Sequence, residues 1–144
     1  MKVLFDTSAL VAAMVEPHPF HARALPWLIK VKKGQAQGII ASHTVAELYA
    51  VLTTLPVVPR ILPAMAWKLI HENVEEGVQI VPLSAGDYLA VLRRMNELHL
   101  TGGAVYDALI ARVAEKAAVQ HLVTFNPDDF KRVWPEGEGL LLVP

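Results

Sequence analysis

Lys2 to Phe5 is a short apolar run that stops at Asp6-Thr7-Ser8, three good helix starters, and Ala9 to Met14 continues with strong apolar character. The order is strand, sharp turn, helix, and it recurs along the chain. A helix from about Pro19 to Lys32 follows Pro17, with Leu25, Leu28 and Ile29 on its buried side, and Gly34 and Gly38 bracket the next turn. Gly38 to Ala41 reads as a short buried strand leading into a helix that starts over Ser42 to Thr44 and carries Leu48 and Leu52 inward. Leu55 to Pro63 holds three prolines and is a loop. Beyond it come a helix from about Ala64 to Glu75, a strand from Val78 to Val81, and a helix capped by Ser84 that runs through His99 with Leu89, Leu92 and Met95 at helical spacing. Gly102 and Gly103 break the chain before a helix from about Ala104 to Ala118. His121 to Thr124 is a fourth strand, Asn126-Pro127-Asp128-Asp129 opens a short helical turn, and Leu140 to Val143 supplies a last strand. Strands that alternate with helices require a mostly parallel sheet covered on both faces. The expected architecture is one three-layer α/β/α domain over residues 1–144, with about five strands.

In open sheets of this kind, sites form beyond the carboxyl ends of the strands. Asp6 ends the first strand, Glu47 lies about a turn into the helix after the second, and Asp128 and Asp129 follow the fourth. Asp107 sits in the first turn of the helix leading into that fourth strand and can face the same edge. Each acid also has a local structural explanation. Asp6 can cap a helix, Thr44-Val45-Ala46-Glu47 fits a capping box, and Asp107 suits the positive end of a helix dipole. Asn126-Pro127-Asp128-Asp129 reads as cap, proline, acids.

Jointly the acids say more. Asp6 lies between two apolar segments, so its carboxylate sits near the core. Gathering carboxylates there raises their pKa values and costs free energy unless a cation offsets the repulsion. Hard divalent ions such as Mg²⁺ accept one or two carboxylates plus waters, and such ions activate water and stabilise the leaving oxygen in phosphodiester hydrolysis.

With no cysteine in the chain, disulfide frameworks and thiolate metal sites are excluded. A net charge of −1 provides no global attraction for nucleic acid, so binding would need a local patch. Lys30, Lys32 and Lys33, Arg93 with Arg94, and Lys131 with Arg132 are the candidates, each more readily explained as a solvated helix face or end. Asp6, Thr7 and Ser8 interrupt the apolar amino-terminal stretch where a secretory signal should be continuous, and no run reaches the ~18 apolar residues of a membrane helix. The expectation is a soluble, cytoplasmic protein.

Four segments carry a family resemblance. MKVLFDTSAL (Met1 to Leu10) looks like the opening of PIN-domain nucleases, particularly the VapC-type toxins of toxin–antitoxin pairs. SHTVAELYAVL (Ser42 to Leu52), YDALIARVAEKAA (Tyr106 to Ala118) and LVTFNPDDFKRV (Leu122 to Val133) resemble the same family in order and spacing. The resemblance implies a PIN fold, with Asp6, Glu47 and Asp107 holding Mg²⁺ or Mn²⁺ for hydrolysis of RNA phosphodiester bonds. Many relatives place a fourth acid after the fourth strand. Here Asn126 stands nearer that position, bringing an amide oxygen but no charge, and Asp129 precedes Phe130 as in the family's common pair. Ser8 and Thr124 supply hydroxyls able to orient a carboxylate or a water. The resemblance further implies a homodimer and a small antitoxin that covers the acidic cleft, with Leu55 to Trp67 as a candidate docking surface.

Alternatives are an RNA-processing PIN protein outside a toxin–antitoxin pair, a receiver-like signalling module, and a silent RNA- or partner-binding domain. A receiver usually has paired acids after the first strand and a lysine after the last, and this chain has neither. His71-Glu72-Asn73-Val74-Glu75 lacks the second histidine of a zinc-protease helix. His18 and His21 read as surface residues. Trp27, Trp67 and Trp134 read as core or interface anchors rather than a base-stacking row.

Overall fold

The first strand is the centre of the molecule. In the computed structural model, which describes all residues from Met1 to Pro144, β1 (Lys2–Phe5) has strands on both sides. It is followed by α1 (Thr7–Met14), α2 (His21–Lys32), β2 (Gln37–Ala41), α3 (Ser42–Thr54), α4 (Pro63–Ile70) and β3 (Val78–Val81). Then come α5 (Ala85–Glu97), α6 (Ala104–Ala117), β4 (His121–Val123), α7 (Pro127–Val133) and the two-residue β5 (Leu141–Leu142). The sheet order is β3-β2-β1-β4-β5 and every pairing is parallel. The chain winds outward from β1 to β3, then crosses back to β4 on the other side. The break in order therefore falls between β1 and β4, where a crevice opens at the strands' carboxyl ends.

Alternation along the strands divides the core in two. Val3, Phe5, Ile40 and Val123 point into one apolar cluster with α1, α2, α3 and α4. Leu4, Ile39, Ala41 and Leu122 point into the other, with α5, α6 and α7. Sheet residues covered on both faces give the continuous apolar runs seen in the sequence. At Gly38 a Cβ would come within 2.8 Å of Val31 Cγ1, so glycine lets α2 lie close on β2.

Several boundaries differ from the expectations. Helix α2 starts at His21 rather than near Pro19, because the Phe20 N–H donates to His18 Nδ1 at 3.0 Å in a turn that precedes the helix. The helix expected over Ala64 to Glu75 is α4 plus a wider π turn at His71–Glu75, where the Asn73 side-chain amide donates to the Leu69 carbonyl at 2.8 Å and competes with the regular ladder. Helix α5 ends at Glu97, and its buried stripe is Asp87, Val91 and Met95, while Leu89 and Leu92 face outward. Val58, Leu62, Met65 and Trp67 are exposed, so the Leu55 to Trp67 segment does not bury these side chains in its own core. Trp134 is buried and Trp27 half-buried.

Asp87 pins α5 to α6. It closes a capping box with Ser84 and accepts from Arg112 Nε at 3.1 Å and Lys116 Nζ at 2.9 Å. The Ser84 backbone N–H and these cations hold its carboxyl well below the usual carboxylate range. A depressed folded pKa contributes stability that is present above the unfolded value near 4 and lost as pH falls through the folded one. Asp87→Ala should therefore lower the thermal midpoint at neutral pH, with the gap from the parent closing below about pH 4 in a pH series of melting curves.

Candidate active site

The turn after β1 presents Asp6 at the crevice between β1 and β4. Its backbone N–H donates to the Val123 carbonyl at 3.0 Å, extending the ladder by one residue, while its side chain is only 6% exposed. Asp6 occupies the cap position of α1 but makes no side-chain cap bond. Instead Oδ2 accepts from Ser8 Oγ and Thr124 Oγ1, each at 2.8 Å. Those hydroxyls accept in turn: Ser8 Oγ from the Phe125 N–H at 3.1 Å, and Thr124 Oγ1 from the Asn126 N–H at 2.9 Å. Both side-chain donors go to one oxygen, which leaves Oδ1 without a side-chain donor.

Glu47 does not form the capping box that its spacing from Thr44 allows. Helix α3 begins at Ser42, so Glu47 lies beyond the first turn and cannot reach back to the cap amide. Its Oε2 accepts from Thr7 Oγ1 at 2.8 Å, and its Oε1 lies 3.4 Å from His43 Nε2. Sequence reasoning passed over Thr7 and His43. The spacing of four between His43 and Glu47 on one helix was the available signal for the second. For Thr7 there was none beyond its place beside Asp6.

Asp6, Ser8, Glu47, Asp107 and Asn126 line one cleft of about 470 Å³, together with Thr7, Val11, His18, Phe20, Val51, Leu55 and Phe125. Thr124 lies beneath Asp6 with no exposure. Asp129 is not among the lining residues: its side chain is half exposed and lies 3.8 Å from Arg132 Nη2, and its charge acts on Asp107. No lysine or arginine lines the cleft. Among the basic pairs singled out in the sequence, Lys131, Arg132 and Arg94 engage acids on the outer surface.

The electrostatics follow from this crowding. Burial pushes the Asp6 carboxyl up, the Thr124 and Ser8 hydroxyls pull it back, and Glu47 adds to the rise. Asp107 is pushed up to about 7, first by burial and then by the charges of Asp6, Asp129 and Glu47, with Arg132 opposing. Burial lowers His43 despite Glu47 beside it.

A family model described as PIN domain matches residues 3–134. The chain belongs to the PIN-domain family. It is a PIN domain of the VapC type. It is 33% identical over 109 residues to Ribonuclease VapC27 of Mycobacterium tuberculosis, spanning 76% of this chain and 74% of that protein. The crystal structure of VapC20 from the same organism, titled a sarcin–ricin loop cleaving toxin, superposes with a TM-score of 0.69 at 16% identity, covering 88% and 92% of the two chains. VapBC2 from Rickettsia felis, solved on a DNA fragment from its promoter, gives 0.66 at 21% identity over 100% and 99%. These two structures bear on the fold, which is the PIN-like three-layer arrangement.

The donor set of this PIN domain suits a hard divalent ion. Its cleft offers carboxylate, hydroxyl and amide oxygens, and no three His, Asp or Glu side chains close on one point as a complete cage. An open, oxygen-rich set that water completes is the mode Mg²⁺ and Mn²⁺ favour. Without a cation, the raised pKa of Asp107 makes its charge a burden on the folded state. That burden grows as pH rises from about 4 to about 7 and is constant above. Asp107→Asn should be more stable than the parent by about 1 kcal/mol at pH 8 in chelator, after allowance for screening at a half-exposed group. Urea titrations at pH 4 should show no such gain.

Proposed function

We propose that this PIN domain is a divalent-metal-dependent endoribonuclease and the toxin of a toxin–antitoxin pair. One observation carries the reading: Asp6, Glu47 and Asp107, distant in sequence, line a single oxygen-rich cleft at the break in strand order. Kinship with proteins named ribonucleases supports RNA as the substrate.

In this reading Asp6, Glu47 and Asp107 hold Mg²⁺ or Mn²⁺, with the amide oxygen of Asn126 as an uncharged supplement. The ion would acidify water and draw off negative charge from the scissile phosphate. The residues of the chain do the positioning. Ser8 and Thr124 fix Asp6 through one oxygen and leave the other without a side-chain donor, and Thr7 holds one oxygen of Glu47. Asp129 adds negative potential at Asp107. A single strand or loop of RNA is the fitting substrate, because its backbone can enter a narrow cleft that a duplex cannot.

For partners, we propose a homodimer and a small antitoxin that places a basic side chain among the carboxylates, offsetting the same repulsion as the ion. Exposed Val58, Leu62, Met65 and Trp67 offer this partner an apolar face. A cytoplasmic location follows from that role, and no helix is long and apolar enough to cross a membrane. Incubation of the purified chain with labelled single-stranded RNA tests the activity. Cleavage should require Mg²⁺ or Mn²⁺ and stop in chelator. Intact RNA across a metal series rejects the assignment.

A further inference from the structure

The cleft has a second wall that the hydrolytic chemistry leaves unused. Opposite in character to the carboxylates, it consists of His18, Phe20 and Phe125. The rings of Phe20 and Phe125 stack at 4.7 Å between centroids with 22° between planes, and the His18 ring lies 5.8 Å from Phe20. Phe20 is 39% exposed, a large aromatic surface left in water at the mouth of an acidic site. The Arg23 guanidinium lies over both phenyl rings, 4.9 Å from one centroid and 5.3 Å from the other.

We infer that Phe20 and Phe125, backed by Arg23, form a stacking platform for a nucleobase next to the scissile phosphate. The inference rests on the ribonuclease reading and adds how the substrate is gripped. Three observations support it. First, the cleft has no lysine or arginine in its lining, so phosphate attraction alone gives a strand little hold there. Stacking supplies affinity that does not depend on charge, since every base has a π-face. Second, the platform is rigid relative to the acids. The Phe125 backbone N–H donates to Ser8 Oγ, which donates to Asp6, so the backbone that carries the ring and the carboxylate are separated by one hydroxyl. Third, a cation against aromatic faces strengthens such a platform. Phe20 stands in the turn before α2 and Phe125 follows β4, so the fold alone brings the pair together.

Affinity for two fluorescein-labelled probes tests this, each a dodecamer: oligo(A) RNA and the matching ribose-phosphate chain without bases. Binding is read in Mg²⁺ in the Asp6→Asn background, so that cleavage does not interfere. Oligo(A) should bind at least about tenfold tighter than the abasic chain. Phe20→Leu should bring the two within about twofold by weakening oligo(A) binding rather than by tightening the abasic chain, and Phe20→Trp should keep the preference. Equal affinities for the two probes, absent binding included, or a preference that survives Phe20→Leu, overturn the platform. RNA cleavage by the parent chain answers the other question separately. Cleavage without base-dependent binding removes the platform and keeps the ribonuclease. Base-dependent binding without cleavage does the reverse.

Discussion

Asp6→Asn should reduce RNA cleavage at least about 100-fold while leaving the fold intact, since removal of even a supporting group around a metal costs 10–100-fold. The substitution is close to isosteric. An amide oxygen can still accept from Ser8 and Thr124, the two donors that hold Oδ2, so the hydrogen bonds of this buried position survive. What disappears is the charge that would bind a cation, along with part of the repulsion that raises Asp107. The measurements are single-turnover cleavage rates and urea midpoints on the same preparations. An undiminished rate would reject Asp6 as a ligand. A loss of several kcal/mol in metal-free buffer would show that its main task is structural.

The largest effect on stability is expected at Phe130. Its ring is fully buried at the base of α7, in the cluster formed with Leu4, Ile110, Leu122 and Trp134. Phe130→Ala removes that packing and leaves a void, which should cost about 3–5 kcal/mol. Set against the 5–15 kcal/mol of an ordinary domain, this brings the protein near its unfolding threshold. Phe130→Leu, which keeps most of the volume, should cost less than about 1.5 kcal/mol. Equilibrium urea denaturation of the two variants checks the contrast, and an alanine cost under about 1 kcal/mol would mean that α7 contributes little to the core. Because α7 follows directly on Phe125 and Asn126, Phe130→Ala should also loosen that edge of the cleft.

What could be read from the residues alone follows a physical pattern. Strands covered on both faces leave unambiguous apolar runs, so β1 and β2 were legible, as was the Ser84 cap of α5. The acids stood out because sheet topology fixes where strand ends lie, and five of the residues named from sequence, Asp6, Ser8, Glu47, Asp107 and Asn126, line one cleft. Helix faces were less legible. Helix α5 carries two apolar stripes at compatible spacing, and periodicity cannot say which one the core selects. It selected Val91 and Met95 beside the ion-paired Asp87, leaving Leu89 and Leu92 outside. Partnerships across the chain were invisible. Nothing local in Phe20 or Phe125 announces that their rings meet, and the hydroxyl of Thr7 gives no sign that it will find Glu47.

The hydroxyl relay around Asp6 turns two amides into a natural readout. Thr124 is 118 positions from Asp6, yet its oxygen receives the Asn126 proton as its own goes to the carboxylate, and Ser8 does likewise for Phe125. Anything that draws electron density from that carboxylate alters the polarity of both hydroxyls. The ¹⁵N chemical shifts of Phe125 and Asn126 should thus track occupancy of the cleft, letting a silent ion be followed without turnover and with no label added to the site.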